Sequence, residues 1–477
     1  MHLPDTRLFV ASSVLDEGPR LAVRDPWTMD PLATVRMADA AAASRAVGAA
    51  VEAFGALARL AAYERRDMLR AIVAGLSAQK ESLALLIAHE SGKPITYARA
   101  EVGRAVSTFD LAAEEATRMR GEVMALDITP AGKDTTGSWV RIPRGPVLGI
   151  APFNFPLNLV AHKVAPALAC GASIVLKPPP QAPLTSLALA AIVRDACPVE
   201  NALQVVPCDV AVAEGLVKDD RFATLSFTGS ARVGWHLASI AGKKRVLLEL
   251  GGNAAVIVHE DADLASAAER IVIGAFAYAG QVCIKVQRAY AHRPIAAALQ
   301  ARIVERALSL APASPLEAST VLGPLIDEPN ARRVEDWVGQ AVRAGARLLT
   351  RTRRDQNRLD PIVLGVDGEG AGLLVVDEEV FGPVLTLHAY DTWDDALRMA
   401  DRSRYGLQAG VFTDSSARIQ QAFQRLHVGA LVVGDVPTFR VDSMPYGGTR
   451  ESGLGREGVR FAIEDMTERK LLVFRDG

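Results

Sequence analysis

The first third of the chain is alanine-rich, and its apolar residues recur at helical spacing over residues 38–77, 80–89 and 95–119, predicting a mostly helical first block. The rhythm then changes to alternation. Residues 121–128 and 138–142 predict two strands joined by a turn through 130–137, a hairpin that projects from the body as an interface. From residue 145 short β-rich apolar runs alternate with helical stretches. Strands are predicted at 145–151, 173–177, 203–207 and 224–227, with helices at 156–168, 185–196 and 210–217. This alternation specifies a parallel, doubly wound sheet with ligand sites at the C-terminal ends of its strands. A second alternating block follows residue 252, with helices at 264–279, 294–310 and 330–344 and strands at 254–258, 286–291, 373–376 and 384–390. Residues 350–372 are charged and glycine-bearing and read as surface loops with one short strand. Residues 470–474 are apolar enough to pair as an edge strand, across subunits.

At 477 residues the chain exceeds one ordinary core, so two or three domains are expected. Apolar residues make up 49%, charged residues 23%, and the net charge is −2, which fits a soluble globular protein of the cytoplasm. No basic tail calls for nucleic acid, and no uninterrupted apolar run of membrane length calls for a membrane. Four cysteines without a CxxC pair indicate reduced thiols, and eight scattered histidines without HExxH spacing give a metal mechanism no support.

Against this background Cys283, in Gly280-Gln281-Val282-Cys283, stands out. Flanked by small or apolar residues, it suits a covalent nucleophile, and a helix N-terminus or nearby donors would lower its pKa. A structural buried cysteine reads the same way, and that reading holds for Cys170, Cys197 and Cys208. Glu249 ends an apolar strand-like run before Gly251 and Gly252, whose bare backbone admits a close ligand. Desolvated there, its carboxylate suits general-base work on water, or else an ordinary strand-end ion pair. Asn154, in PFNFP (residues 152–156), has an amide able to donate to an oxyanion without titrating, and is equally a turn-forming residue. Lys177 ends a strand and enters Pro178, Pro179 and Pro180, at the sheet edge where ribose and phosphate bind. In FTGSARVG (residues 227–234), Gly229 and Ser230 open a helix and can present N–H groups and a hydroxyl to a pyrophosphate.

The order and spacing of PFNFP, FTGS, Glu249 in LELGGN and Cys283 in GQVC resemble the NAD(P)-dependent aldehyde dehydrogenases. ESGKP (90–94), Arg288, EEVFGP (378–383), YGL (405–407), PYGG (445–448) and SGLGRE (452–457) extend the likeness over most of the chain. The resemblance implies an α/β fold of two doubly wound parallel-sheet domains with a small β oligomerisation arm. Residues 1–120 and 144–250 would bind nucleotide, 251–445 would form the catalytic domain, and 121–143 with 460–477 the arm of a homodimer or homotetramer. It implies NAD or NADP as cofactor, with Cys283, Glu249 and Asn154 catalytic. Pro152, Phe153, Lys177, Gly229, Ser230, Gly251, Glu379 and Phe381 would line the cofactor site, Glu379 at the nicotinamide ribose and Phe381 by the ring.

The chain departs from many family members at Pro180, where a glutamate would hold the adenosine ribose and repel a 2′-phosphate; this permits NADP. PFNFPLNLVAHK (152–163) and PTFRVDSMPYGG (437–448) resemble the branch that oxidises small, often anionic or hydroxylated aldehydes such as lactaldehyde, sulfolactaldehyde, phosphonoacetaldehyde and glyceraldehyde 3-phosphate. Arg104, following a helix segment that borders the family's substrate tunnel, and Arg440, in a loop before PYGG, are candidates to bind a substrate anion. A solvated surface charge is the alternative for each. The rival functions are a CoA-acylating dehydrogenase, which Glu249 opposes because thiolysis needs no such base, and a non-catalytic binding protein on the same scaffold.

Overall fold

The computed structural model describes residues 3–15 and 17–475. Five parallel strands, Leu203–Val205, Ile174–Lys177, Val147–Ile150, Thr224–Thr228 and Arg245–Glu249, lie side by side in that order. Gly453–Leu454 adds an antiparallel edge beside Arg245–Glu249. The strands read as near-continuous apolar runs because both faces are covered. On one face lies Ala40–Leu57, whose N-cap Asp39 accepts from the Ala42 N–H and whose small buried side chains Ala42, Ala46 and Ala50 let it settle onto the sheet. This helix is also long and apolar enough to cross a membrane, yet 44% of its apolar window is buried in the protein. On the other face, every residue of Asn158–Cys170 is buried, and the helix stops at Gly171, held at φ 86°. It therefore carries polar Asn158, His162 and Lys163 into the interior, where each needs a partner.

The second sheet has seven strands in the order Arg347–Leu348, Ile362–Gly365, Val384–Tyr390, Val286–His292, Ala254–Val258, Gln408–Phe412 and Ala430–Val433. All but Arg347–Leu348 run parallel. Glu122–Ala125, Thr135–Pro143 and Thr467–Arg475 form a separate three-stranded antiparallel sheet. The C-terminal strand thus pairs within its own chain, along its whole length, rather than requiring a second subunit. The helix before it, Val459–Met466, packs Val459, Ile463 and Met466 into the body.

Three other features depart from the sequence reading. Residues 373–376 form no strand: Leu374–Asp377 is a helical turn, with the Glu378 N–H on the Leu374 carbonyl, because a short apolar run carries no period of its own. The charged stretch 350–372 includes a hairpin, Arg354–Asp355 with Arg358–Leu359, and the fully buried strand Ile362–Gly365. The N-terminal region folds as two hairpins, Leu8–Val10 with Ser13–Leu15 and Arg20–Arg24 with Pro31–Arg36, which the sequence did not signal.

Candidate active site

The two sheets meet at Gly251 and Gly252, between the last parallel strand of the first and the first strand of the second. Cys283 arrives from the other side on a tight turn. Tyr278, Ala279 and Gly280 all take left-handed φ values of 53°, 54° and 67°, a strained arrangement over-determined by burial. A Cβ on Gly280 would lie 2.4 Å from the Gly382 carbonyl, so glycine is required there twice over. The turn leaves Sγ of Cys283 3.0 Å from the hydroxyl of Tyr446. Beside it, a Cβ on Gly252 would meet the Cys283 carbonyl at 2.4 Å, which fixes how closely the two segments approach.

Burial pushes the Cys283 thiol up to about 11, while the Tyr446 hydrogen bond and the Arg440 charge pull it down. The expectation of a lowered thiol is therefore corrected: desolvation outweighs the donors. Cys208 is also raised to about 11 and Cys170 to about 12 by burial, so titration does not single out Cys283. Its hydroxyl partner and neighbouring charges do.

Glu249 is buried and its carboxyl is held well above the usual range, by desolvation first and by the negative Glu457 second. One oxygen accepts the Glu457 N–H at 3.3 Å; the other has no hydrogen bond among the described residues. Glu457 moves the opposite way, down to about 2, because Lys163 and Arg440 face it. Lys163 Nζ lies 3.3 Å from one oxygen, and Arg440 Nη2 donates to the other at 2.9 Å. Asn154, buried at the turn after Val147–Ile150, donates through Nδ2 to the Gln281 carbonyl at 3.0 Å, two residues before the thiol. An amide has a second hydrogen to give.

Glu379 accepts the Gly252 N–H at 3.1 Å, and burial raises it to about 7. A Cβ on Gly251 would lie 2.1 Å from the Glu379 carboxylate, so a side chain here would displace that carboxylate from the Gly252 N–H. Phe381, at φ 46°, meets Phe153 edge to face, with ring centroids 5.9 Å apart, and Pro152 precedes Phe153 on the same turn. At the C-terminal ends of the first sheet lie Lys177 and Gly229, the latter donating to the Glu249 carbonyl at 3.0 Å. Lys177 is half-buried; its carbonyl accepts the Ala151 N–H at 3.2 Å, but its ammonium makes no hydrogen bond or ion pair among the described residues. Ser230 caps Ala231–Ile240 without a side-chain hydrogen bond. A partnerless ammonium, a free hydroxyl and open helix N–H groups fit the hydroxyls and phosphates of a dinucleotide.

Neither candidate arginine is a solvated surface charge. The Arg440 side chain is only 6% exposed, with its guanidinium 3.7 Å from the centre of the Tyr446 ring and its Nε without a hydrogen bond among the described residues. Arg104 lies within the helix Ile95–Ala116 and forks onto Asp442 at 2.7 and 3.2 Å. Asp442 also takes bonds from His162 and Asn158, and His162 with Arg104 holds its carboxyl far below the usual range against the cost of burial. Tyr446, Lys163 and Glu457 were not singled out from sequence, although each lies in a quoted motif.

Residues 14–472 match the aldehyde dehydrogenase family. The chain belongs to that family, whose members oxidise aldehydes with NAD(P). It is 39% identical over 467 residues to a 3-sulfolactaldehyde dehydrogenase of Priestia aryabhattai, covering 98% of this chain and 97% of that one. Aldehyde dehydrogenase 21 of Physcomitrella patens, solved with its reaction product succinate, superposes with a TM-score of 0.95 at 40% identity, covering 100% of this chain and 99% of that one. The NADP-dependent glyceraldehyde-3-phosphate dehydrogenase of Bacillus halodurans C-125, solved with NADP, gives 0.95 at 32% identity over 99% of each chain.

Proposed function

We propose that this enzyme oxidises a small polar or anionic aldehyde to its carboxylic acid through a covalent adduct on Cys283. The observation that carries this reading is the buried, under-paired Glu249 carboxyl together with a part-buried Cys283 thiol that the Tyr446 hydroxyl meets at 3.0 Å. The Cys283 thiol gives up its proton to solvent water, a step favoured by Tyr446 and Arg440, and its sulfur bonds to the carbonyl carbon while the π electrons move to oxygen. The second amide hydrogen of Asn154 and the Cys283 N–H donate to that oxyanion. Its collapse expels hydride and leaves a thioester. NAD or NADP, held by Lys177, Gly229, Ser230, Gly251, Glu379 and the Phe153–Phe381 pair with Pro152, supplies the hydride acceptor. Glu249 then takes a proton from water as its oxygen attacks the thioester, the C–S bond breaks, and the acid departs from a restored Cys283.

The first sheet with the helical block (1–120 and 144–250) serves as nucleotide domain, and 251–445 as catalytic domain. The three-stranded sheet, with Val123, Ile128, Val140 and residues 471–474 exposed, serves as the arm of a homodimer or homotetramer in the cytoplasm. The anionic end of the substrate would engage Arg440, whose Nε is free, more readily than Arg104, whose fork is occupied by Asp442. Its relatives' activity on sulfolactaldehyde and release of succinate support this choice.

The test is a panel of neutral and anionic aldehydes with NAD and NADP, with and without CoA. NAD(P)H formation without CoA, fastest on an anionic aldehyde, is expected. A strict CoA requirement would replace this reading with the acylating one, and no turnover on any aldehyde with the scaffold reading.

A further inference from the structure

Three strands of the second sheet, Ala254–Val258, Val286–His292 and Val384–Tyr390, end together at the edge opposite Cys283, which precedes the first residue of Val286–His292 by a few positions. The seven residues of that strand put the two edges about 20 Å apart. His259 follows the first strand, His292 ends the second, and Tyr390 ends the third directly opposite His292. One ligand atom from each of His259, Glu260 and His292 lies within 4.8 Å of the others.

The Tyr390 hydroxyl lies 2.8 Å from Nδ1 of His259 and 3.3 Å from the Val258 carbonyl. Nε2 is the other ring nitrogen of His259. It is buried, in a residue only 3% exposed, and has no hydrogen-bond partner among the described residues. Nε2 of His292 lies 3.3 Å from the Asp391 carbonyl, and Nδ1 is its other ring nitrogen. That nitrogen has no hydrogen bond either, and Glu260 Oε2 stands 3.2 Å from it. Two ring nitrogens without a hydrogen bond among the described residues and one carboxylate thus converge. Nδ1 of His259 is held by the Tyr390 hydroxyl, as the second nitrogen of a metal-ligating histidine is.

We propose that His259, Glu260 and His292 form a site for a divalent transition metal of the zinc class, which ties together the C-terminal ends of these strands. A donor set of two neutral imidazoles and one carboxylate matches that ion class and leaves one position for water. The rings lie stacked, with centroids 4.5 Å apart and planes 19° apart, so a shared ion requires one to turn. His292, part-exposed, with Glu260 and the Asp391 carbonyl at its nitrogens and the Tyr390 ring stacked on it, is the one that turns; His259 is pinned between Tyr390 and the edge of Trp393. Asp261, on the other side, is engaged by Thr413, the Asp414 N–H and Arg418, and is not a ligand.

The experiment uses untagged full-length protein carrying Cys283→Ala, so that the reactive thiol cannot hold the ion. After stripping with chelator it is titrated with zinc by calorimetry and, separately, with cobalt by absorbance. One ion per chain is expected, with a rise in Tm as zinc is added. Glu260→Gln and His292→Ala, at part-exposed positions, should each weaken zinc binding at least about ten-fold without changing the metal-free Tm. Absence of saturable binding in the Cys283→Ala protein would overturn the proposal. So would binding that survives intact in the His292→Ala/Glu260→Gln double variant.

Discussion

Two groups of buried charge sit back to back beneath the site, and they are built on opposite principles. Around Glu457 the charges are matched: Lys163 and Arg440 each take an oxygen, and the carboxyl is held down at about 2. Around Glu249, which accepts the Glu457 N–H, they are not. One oxygen has a weak backbone donor, the other none, and the nearby Glu457 repels. A fully paired carboxylate is a poor base because its lone pairs are spent. The unmatched one is kept hungry for a proton, and the matched group supplies the negative charge that keeps it so. Cys283 falls on the unmatched side, raised by burial and relieved only by Tyr446 and Arg440.

The sharpest break in this contrast is removal of the thiol. Cys283→Ala should lower aldehyde turnover by more than about 10⁴-fold while leaving NAD(P) binding, followed by fluorescence titration, unchanged. Residual turnover near the unmodified rate would give the nucleophile's role to another group.

Arg440 touches both groups through Glu457 and the Tyr446 ring. If it also binds the substrate anion, Arg440→Ala should cost about 1.5–3 kcal/mol, or roughly ten-fold to more than a hundred-fold in kcat/KM, for an anionic aldehyde. A neutral aldehyde of the same length is the control and should lose far less. Arg104→Ala should show a smaller difference between the two substrates. Equal losses on both would make Arg440 a structural counter-ion alone.

Glu457→Gln tests the repulsion directly. Glu249 works as a base only when ionised, so deacylation rises with pH through its raised pKa. Taking the negative charge from Glu457 should let Glu249 ionise more easily and move that rising limb to lower pH. A limb that stays in place or moves up would mean that Glu457 does not set the basicity of Glu249. The smallest effect expected is at the far end of the nucleotide. Pro180→Glu should shift the ratio of kcat/KM values toward NAD by a few-fold, because the new carboxylate repels a 2′-phosphate. An unchanged ratio would place cofactor discrimination at other residues.

Much of the frame could be read from residue order. Long alanine-rich helices and fully apolar parallel strands announce themselves by period, and Cys283, Glu249 and Asn154 lie in motifs with few alternative contexts. What stayed hidden depends on contacts between distant segments. The run at residues 373–376 is too short to show a period and settled as a helical turn. That Arg104 is spent on Asp442, 338 positions away, has no local signature. The pairing of Lys163 and Arg440 with Glu457 joins three separate motifs, each visible but silent about the others. His259 and His292 are 33 positions apart by residue number and meet only because two adjacent parallel strands end level.

The central claim is that Cys283 carries the acyl group and Glu249 releases it. Glu249→Gln, nearly isosteric but unable to accept a proton from water, should be mixed rapidly with aldehyde and NAD(P) and followed by absorbance and intact mass. A burst of about one NAD(P)H per active site is expected, then turnover slowed by about 10²–10⁴-fold, with the acyl mass retained on Cys283. A burst phase slowed as much as steady state, with no acyl adduct, would show that Glu249 acts on the thiol before hydride transfer and would contradict the assignment.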